Sequence, residues 1–284
     1  MSITVTANPS GFGAEITGLD ISRPLPADTL AEVKAAWAAH SVVWFPDQPL
    51  DHDQLEAFTL QFGGFGHDPY VKPLADRPHI LEVRREPTET ASVFGGAWHS
   101  DWSFQPAPPA ATILHAKIVP PVGGDTEFAD AYRAYETLSP VMQKLLSGLT
   151  TIHSATRPYG AQGVYAYEPA GHRSMEIINC SEADAQQEHP LVRVHPVSGR
   201  KSLFVNPIYT LGIAGMTEAE SGNLLGFLYK HMLQEAFIYR HKWRPDMLIM
   251  WDNRCALHNA TGGYDGHRRV MHRVTVAGET PIAA

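Results

Sequence analysis

Met247-Leu248-Ile249-Met250-Trp251-Asp252-Asn253-Arg254-Cys255-Ala256-Leu257-His258, followed shortly by Arg268-Arg269-Val270-Met271-His272-Arg273-Val274-Thr275-Val276, decides how this chain folds. The first run is apolar up to Trp251, turns through three polar residues and resumes toward His258, which is the pattern of a strand, a turn and a second strand. Asp252, Asn253 and Arg254 fit a turn held by side-chain hydrogen bonds. In the second run a period of two sets Arg269, Met271, Arg273 and Thr275 on one face and Val270, Val274 and Val276 on the other. The odd-numbered face has the character of a polar cavity wall.

Working outward, Ile80 to Val83, Ala111 to Val119 and Thr126 to Phe128 are predicted strands, punctuated by Pro108-Pro109 and Pro120-Pro121. Val42-Val43-Trp44-Phe45 follows a helix whose apolar face is Leu30, Val33 and Trp37 and whose cap is Asp28. Asp51 with Gln54 caps a second helix that stops at Gly63-Gly64, and Thr217 with Glu220 forms a capping box for a third. Helix is expected from Tyr132 to Leu146 with a break and restart at Ser139-Pro140. Leu191 to Val194 and Ser202 to Val205 form a hairpin. Strands dominate and helices flank them, so the chain is mainly β, an antiparallel barrel or jelly roll with helices packed outside. The stretch 157–187 holds glycines and small polar residues without steady periodicity; it is a lid over the site or an ordinary surface insertion.

Chemistry enters at Trp98-His99-Ser100-Asp101. In an extended strand residues i and i+2 share a face, so His99 and Asp101 can converge on one ion, and His258, at the end of its apolar run, is the best-placed third ligand. Two imidazoles and one carboxylate leave three adjacent positions open, the arrangement of non-haem Fe(II) oxygenases, whereas a structural zinc is closed by a fourth protein ligand. A lone His-x-Asp decides nothing, because such tripeptides commonly sit in turns. The weight lies in its combination with His258, Arg269 and Arg273. Iron, one aspartate and a chelating 2-oxo dicarboxylate sum to a negative site, and an arginine fork is suited to the far carboxylate of 2-oxoglutarate.

On these residues, and on Gly11-Phe12-Gly13-Ala14-Glu15-Ile16 and Gly123-Gly124-Asp125-Thr126, the chain resembles the taurine dioxygenase and phenoxyacetate dioxygenase family of Fe(II)/2-oxoglutarate oxygenases from residue 11 to Val276. The resemblance implies a double-stranded β-helix core, with residues 1–284 forming one domain. It implies that His99, Asp101 and His258 ligate Fe(II), that Thr126 and Arg269 hold the distal carboxylate of 2-oxoglutarate, and that Arg273, fifteen residues beyond His258, grips an anionic substrate. Asp101 favours hydroxylation, since related halogenases lack this carboxylate. Hydroxylation at a carbon bearing a heteroatom would cleave a C–S or C–O bond. His67 and Tyr70 are similar to the family's substrate-side histidine and tyrosine. Gly95-Gly96-Ala97 departs from the asparagine-containing stretch of taurine-type members, and Tyr159 and Tyr209 fall near positions where those members place phenylalanines. With Trp98 and Trp102 beside the ligands, the expected cavity is broad and aromatic, suited to a larger or aryl-bearing acid rather than taurine. The implied chemistry couples O2 and 2-oxoglutarate to hydroxylation of a sulfonate, sulfate ester, aryloxy acid or other carboxylate.

Composition narrows the partners. A formal charge of -8 offers no basic patch for nucleic acid, and no apolar run approaches the roughly 20 residues of a membrane helix. Two distant cysteines and a start without a basic region leading into an apolar run point to the reducing cytoplasm. A homo-oligomer, dimer or tetramer, is expected. Of fifteen histidines, His40, His52, His79, His115, His231 and His241 are explained by surface or half-buried packing. Two other readings stay open: a zinc hydrolase, which leaves Arg269 without a purpose, and a non-catalytic binding barrel, against which the intact ligand set argues.

Overall fold

The computed structural model describes residues 3–169 and 171–284. Its first strands are Thr4–Ala7 (β1), Ala14–Thr17 (β2), Val42–Phe45 (β3), Leu81–Arg85 (β4), Ala111–Ile118 (β5) and Thr126–Asp130 (β6). Thr150–Ser154 (β7), Gln186–Pro190 (β8), Val192–Val194 (β9), Lys201–Leu203 (β10) and Thr210–Ile213 (β11) follow. Ile238–His241 (β12), Leu248–Asp252 (β13), Ala256–Ala260 (β14), Arg269–Val276 (β15) and Ile282–Ala283 (β16) complete the set. The longer helices are Ala27–His40 (α1), His52–Leu60 (α2), Ala131–Glu136 (α3), Pro140–Leu146 (α4), Thr156–Tyr159 (α5) and Glu218–Met232 (α6).

A seven-stranded sheet in the order β1-β2-β3-β13-β5-β15-β4 faces a three-stranded sheet in the order β12-β6-β14. The pairs within these sheets are antiparallel except β2 with β3. This is the jelly-roll core of the expected class. The central strands β3, β13, β5 and β15 are buried on both faces, so they alternate between two buried environments rather than between core and water. Val43, Phe45, Ile113, Leu248, Met250, Val274 and Val276 pack outward under α1 and α2 with Trp37, Leu55 and Phe58. Val42, Leu114, Ala116, Ile249, Trp251 and Met271 pack inward against Phe128 and Ala256. A third cluster ties α3, α4 and α6 to the β9–β10 hairpin through Leu146, Leu203, Leu225 and Leu228.

The helix signals are largely where the sequence placed them. Asp51 and Gln54 form a reciprocal capping box on α2, as Thr217 and Glu220 do on α6. Ser139 accepts a hydrogen bond from Met142 N and Pro140 opens α4, so the break between α3 and α4 stands. Asp28 is a correction. The N-cap of α1 is Pro26, in an extended conformation and without a side-chain bond, and Asp28 lies in the first turn, where its charge complements the helix dipole. A second correction concerns the backbone of the ligand pair. His99 makes an isolated bridge to His258, and the chain enters a turn at Asp101 with Trp102 at φ 45°, so His99 and Asp101 do not share a regular strand.

Several buried histidines away from the site are held neutral. His153 sits between Ser103 Oγ (3.0 Å) and Thr151 Oγ1 (2.9 Å), and burial pushes its imidazole down to about 3. Burial likewise takes His241 to about 3 and His115 to about 4. Unfolded imidazoles take up a proton near 6.5 while these do not, so below that pH the unfolded chain binds more protons and stability falls. The thermal midpoint is therefore expected to drop between about pH 7.5 and about pH 5. Scanning calorimetry at the two values checks it, and an equal or higher midpoint at the acid value would contradict it.

Candidate functional site

The turn between β13 and β14 is the mechanical centre of the site. Asp252 accepts from Arg254 N (2.9 Å), Arg254 Nε (2.8 Å), Arg254 Nη2 (2.6 Å) and His195 Nε2 (3.0 Å), which closes the turn as the sequence implied. Asn253 reaches further. Its backbone carbonyl accepts from Ser100 Oγ at 2.7 Å, its Oδ1 accepts from Trp251 Nε1 at 3.0 Å, and its Nδ2 donates to Thr112 Oγ1 at 2.9 Å. Thr112 in turn donates to Asp101 Oδ2 at 2.6 Å. One carboxylate oxygen of Asp101 is thus occupied, and Oδ1 is left facing the imidazoles.

Two backbone bonds, His99 N to His258 O (3.0 Å) and His258 N to His99 O (2.8 Å), set the imidazoles side by side with ring centroids 4.1 Å apart. Ala97 O lies 2.7 Å from His99 Nδ1, which assigns the proton to that nitrogen and leaves Nε2 as a free donor atom. Asp101 Oδ1 is 3.5 Å from His99 Nε2 and 3.8 Å from His258 Nε2. Ligand atoms of the three residues all lie within 4.8 Å of one another, and all three residues are buried. Burial, with His99 adding to it, pushes His258 down to about 3, so its ring is neutral, the form that ligates metal. Burial disfavours ionisation of Asp101, but Arg273 and the two imidazoles outweigh it and hold the carboxyl well below the usual range. Two imidazoles and one carboxylate, with no fourth His, Cys, Asp or Glu in the group among the described residues, suit an open divalent site better than a closed zinc site.

A cavity runs from His99 and His258 past Leu114 and Thr126 to Arg269. Thr126 opens β6 and its Oγ1 accepts from Trp243 Nε1 at 3.0 Å. The Arg269 guanidinium lies 6.0 Å from the Trp243 ring and 5.9 Å from the Tyr264 ring, and burial lowers its basicity. No carboxylate pairs with it among the described residues, and its Nε has no partner. A buried guanidinium in that state calls for an anion. Gly124 makes the approach possible: at φ 71°, a Cβ there would sit 3.3 Å from Arg269 Cδ and Nε.

Arg273, two residues further along the same face of β15 than Met271, stands between this cavity and a second one. Its Nη2 is 3.1 Å from Asp101 Oδ1 and 3.3 Å from Asp68 Oδ1, contacts that are ion pairs by distance but too poorly angled to be hydrogen bonds. The second cavity is mostly apolar, and its walls include Phe94, Trp102, Tyr159, Tyr165 and Tyr209. Burial raises the Tyr159 and Tyr209 phenols well above their ordinary value, so both stay protonated.

Trp102, Tyr159, Tyr209 and Arg273 are brought together at this wall as the sequence anticipated. Tyr70 is one layer behind, stacked on Tyr159 at 5.1 Å. Trp98 packs instead with the helical cluster around Leu257, and His67 is exposed and lines neither cavity. The stretch 157–187 contributes Arg157, Pro158, Tyr159, Val164 and Tyr165 to the wall. Sequence reasoning missed Thr112 and Asp68. A threonine within the predicted strand from Ala111 was the available signal for the first; for the second there was none.

Comparison with known proteins matches residues 4–275 to the family model described as "Taurine catabolism dioxygenase TauD, TfdA family". The alpha-ketoglutarate-dependent 2,4-dichlorophenoxyacetate dioxygenase of Cupriavidus pinatubonensis is 34% identical, over 99% of this chain and 100% of its own length. The alpha-ketoglutarate-dependent sulfate ester dioxygenase of Pseudomonas putida is 31% identical, over 95% of this chain and 88% of its own. Among solved structures, AAD-2 in complex with Mn(II) and N-oxalylglycine superposes with a TM-score of 0.80 at 31% identity and covers 100% of both chains.

Mn(II) at about a hundred times its dissociation constant is expected to raise the thermal midpoint by roughly 5 °C, the shift that one saturated site gives a chain of this size. Asp101→Ala or His258→Ala should remove that increment. An undiminished shift in both variants would place the ion elsewhere.

Proposed function

The chain belongs to the taurine catabolism dioxygenase TauD, TfdA family, and from that membership we propose which residues carry its reaction and which acid it takes. It is an Fe(II)- and 2-oxoglutarate-dependent dioxygenase that couples oxidative decarboxylation of 2-oxoglutarate to hydroxylation of a small organic acid, in the company of relatives named for aryloxy acids and sulfate esters. In the proposal His99, Asp101 and His258 hold the iron, Arg269 and Thr126 hold the distal carboxylate of 2-oxoglutarate, and Arg273 holds the acid group of the substrate. The observation that carries it is the buried Arg269 guanidinium, without a carboxylate partner among the described residues, at the far end of a cavity that begins at the His99-Asp101-His258 group.

Bound iron, with 2-oxoglutarate and O2, supplies the oxidising power for C–H hydroxylation. The protein's own part is placement. Ala97 O fixes the His99 ring and Thr112 fixes Asp101, and the residues that would hold the metal border both cavities. Arg269 binds its dianion as a planar fork in a site shielded from water, where such pairs are strong. Arg273 and the aromatic wall orient the substrate so that one C–H faces the metal. Where that carbon bears a heteroatom, the hydroxylated product collapses with cleavage of the C–O or C–S bond.

Within the class, the wall of Phe94, Trp102, Tyr159, Tyr165 and Tyr209 supports an aryl-bearing acid over a compact aminosulfonate. We place the protein in the cytoplasm as one domain with 157–187 as its lid; two free cysteines support the compartment, and the cavity-lining residues from Arg157 to Tyr165 support the lid. No helix among the described residues is long and apolar enough to cross a membrane. Exposed Val141 and Leu145 on α4 and Phe227 on α6 support a homo-oligomer, dimer or tetramer.

Two measurements test the assignment. Anaerobic Fe(II) and 2-oxoglutarate should give a charge-transfer band near the visible range, and Arg269→Ala should raise the 2-oxoglutarate requirement on the order of a hundredfold, the loss of one charge-assisted bidentate contact. A screen of sulfonates, sulfate esters, aryloxy acids and amino acids should show aryloxy acids stimulating succinate release most. A preference for small aminosulfonates would overturn the aryl reading, and an Arg269→Ala protein that binds 2-oxoglutarate normally would overturn the site.

A further inference from the structure

The loop Gly66-His67-Asp68-Pro69-Tyr70 was singled out for His67, yet it is the neighbouring Asp68 that turns inward. Its side chain is 7% exposed, and three groups converge on it. Trp102 Nε1 donates to Oδ1, Thr275 Oγ1 donates to Oδ2 at 2.9 Å, and Arg273 Nη2 lies 3.3 Å from Oδ1. The loop cannot drift from this position easily. Gly66 N donates to Thr275 O at 2.8 Å, a Cβ on Gly66 would meet Thr275 Oγ1 at 2.5 Å, and Gln105 Nε2 bonds His67 O at 2.8 Å.

Asp101 and Asp68 therefore compete for one nitrogen of Arg273, at 3.1 and 3.3 Å. Burial lowers the basicity of that guanidinium, but the two carboxylates outweigh it and raise it. Oδ1 of Asp101 is also the oxygen that faces both imidazoles, so an ion held there draws Asp101 away from the arginine. Asp68 has no such second claimant: its other partners are neutral donors. With an ion drawing on Asp101, Asp68 would remain as the counter-charge of Arg273. Arg269 differs in having no carboxylate partner among the described residues, as befits a group that meets a dianion.

We propose that Asp68 is a specificity-determining residue: by neutralising Arg273 it weakens capture of compact anions and makes binding depend on the apolar body that an acid can press against Trp102, Tyr159 and Tyr209. The inference rests on the reading of Arg273 as the substrate's acid-binding group. An anion entering the cavity feels the arginine's attraction offset by a fixed negative charge a few ångströms away. A compact acid has nothing else to bind, whereas an aryl acid adds contact with the aromatic wall.

The test uses the full chain loaded with Mn(II) and N-oxalylglycine, with butyrate and phenoxyacetate as probes and isothermal titration calorimetry as the readout. Asp68→Asn keeps the shape and can still accept from Trp102 while removing the charge. It should tighten butyrate by about tenfold, the scale of one partly shielded charge–charge contact, and narrow the preference for phenoxyacetate. A residue that merely buttressed the loop would leave both affinities unchanged or weaken both, and either result overturns the proposal. Arg273→Ala separates the two claims, since undiminished phenoxyacetate binding there would sink the role of Arg273 itself rather than that of Asp68.

Discussion

The pair of backbone hydrogen bonds between His99 and His258 is the constraint on which the site depends. It joins a segment with no regular structure of its own to the edge of the small sheet, and it does so at the two residues whose side chains must meet. Every other contact around the metal group refines that juncture. Asn253 ties the segment to the β13–β14 turn, and Thr112 ties Asp101 to the inward face of β5. The three residues thus come from two chain regions, the 97–101 segment and β14, but are fixed by one sheet-to-sheet framework, the kind of support that keeps a functional group within a fraction of an ångström of its working position.

Electrostatics divides the interior into two chambers along one strand face. Arg269 and Arg273 project from the same side of β15, four residues apart, and differ in what neutralises them. The first has aromatic rings and a threonine hydroxyl nearby, so its charge is available to a dianion. The second sits between two carboxylates. Identical side chains on one strand are therefore given different electrostatic surroundings by their neighbours, through the same burial that makes each charge costly to leave unpaired.

The large sheet makes this arrangement affordable in packing terms. Its outward face is sealed by α1 and α2, while its inward face carries apolar residues along β13 and the polar set along β15. The aromatic wall is a separate cluster that gathers Tyr70, Trp102, Tyr159 and Tyr209 from loops and the 157–187 stretch. Regular strands hold His258 and the two arginines, while His99, Asp101 and the aromatic wall sit on less regular segments, a common division between scaffold and variable loops.

What the sequence determined by itself is whatever depends on backbone geometry over a few residues. Period-two alternation in Arg269–Val276 correctly set Arg269 and Arg273 toward the cavities and Val274 and Val276 toward the helices, the capping boxes at Asp51 and Thr217 stand, and Ser139-Pro140 breaks its helix. Convergence of His99, Asp101 and His258 was legible too, although through a bridge and a turn rather than the strand that period-two reasoning assumed. Tertiary structure alone decided that Trp98 turns toward the helices, that His67 faces out while Asp68 faces in, and that the Thr112 hydroxyl bonds the Asp101 carboxylate. Those outcomes are set by which loop lies against which strand across separations of up to 207 residues. A local pattern records the preferences of a chain with its neighbours, and it carries no trace of a partner that only the packed fold brings near.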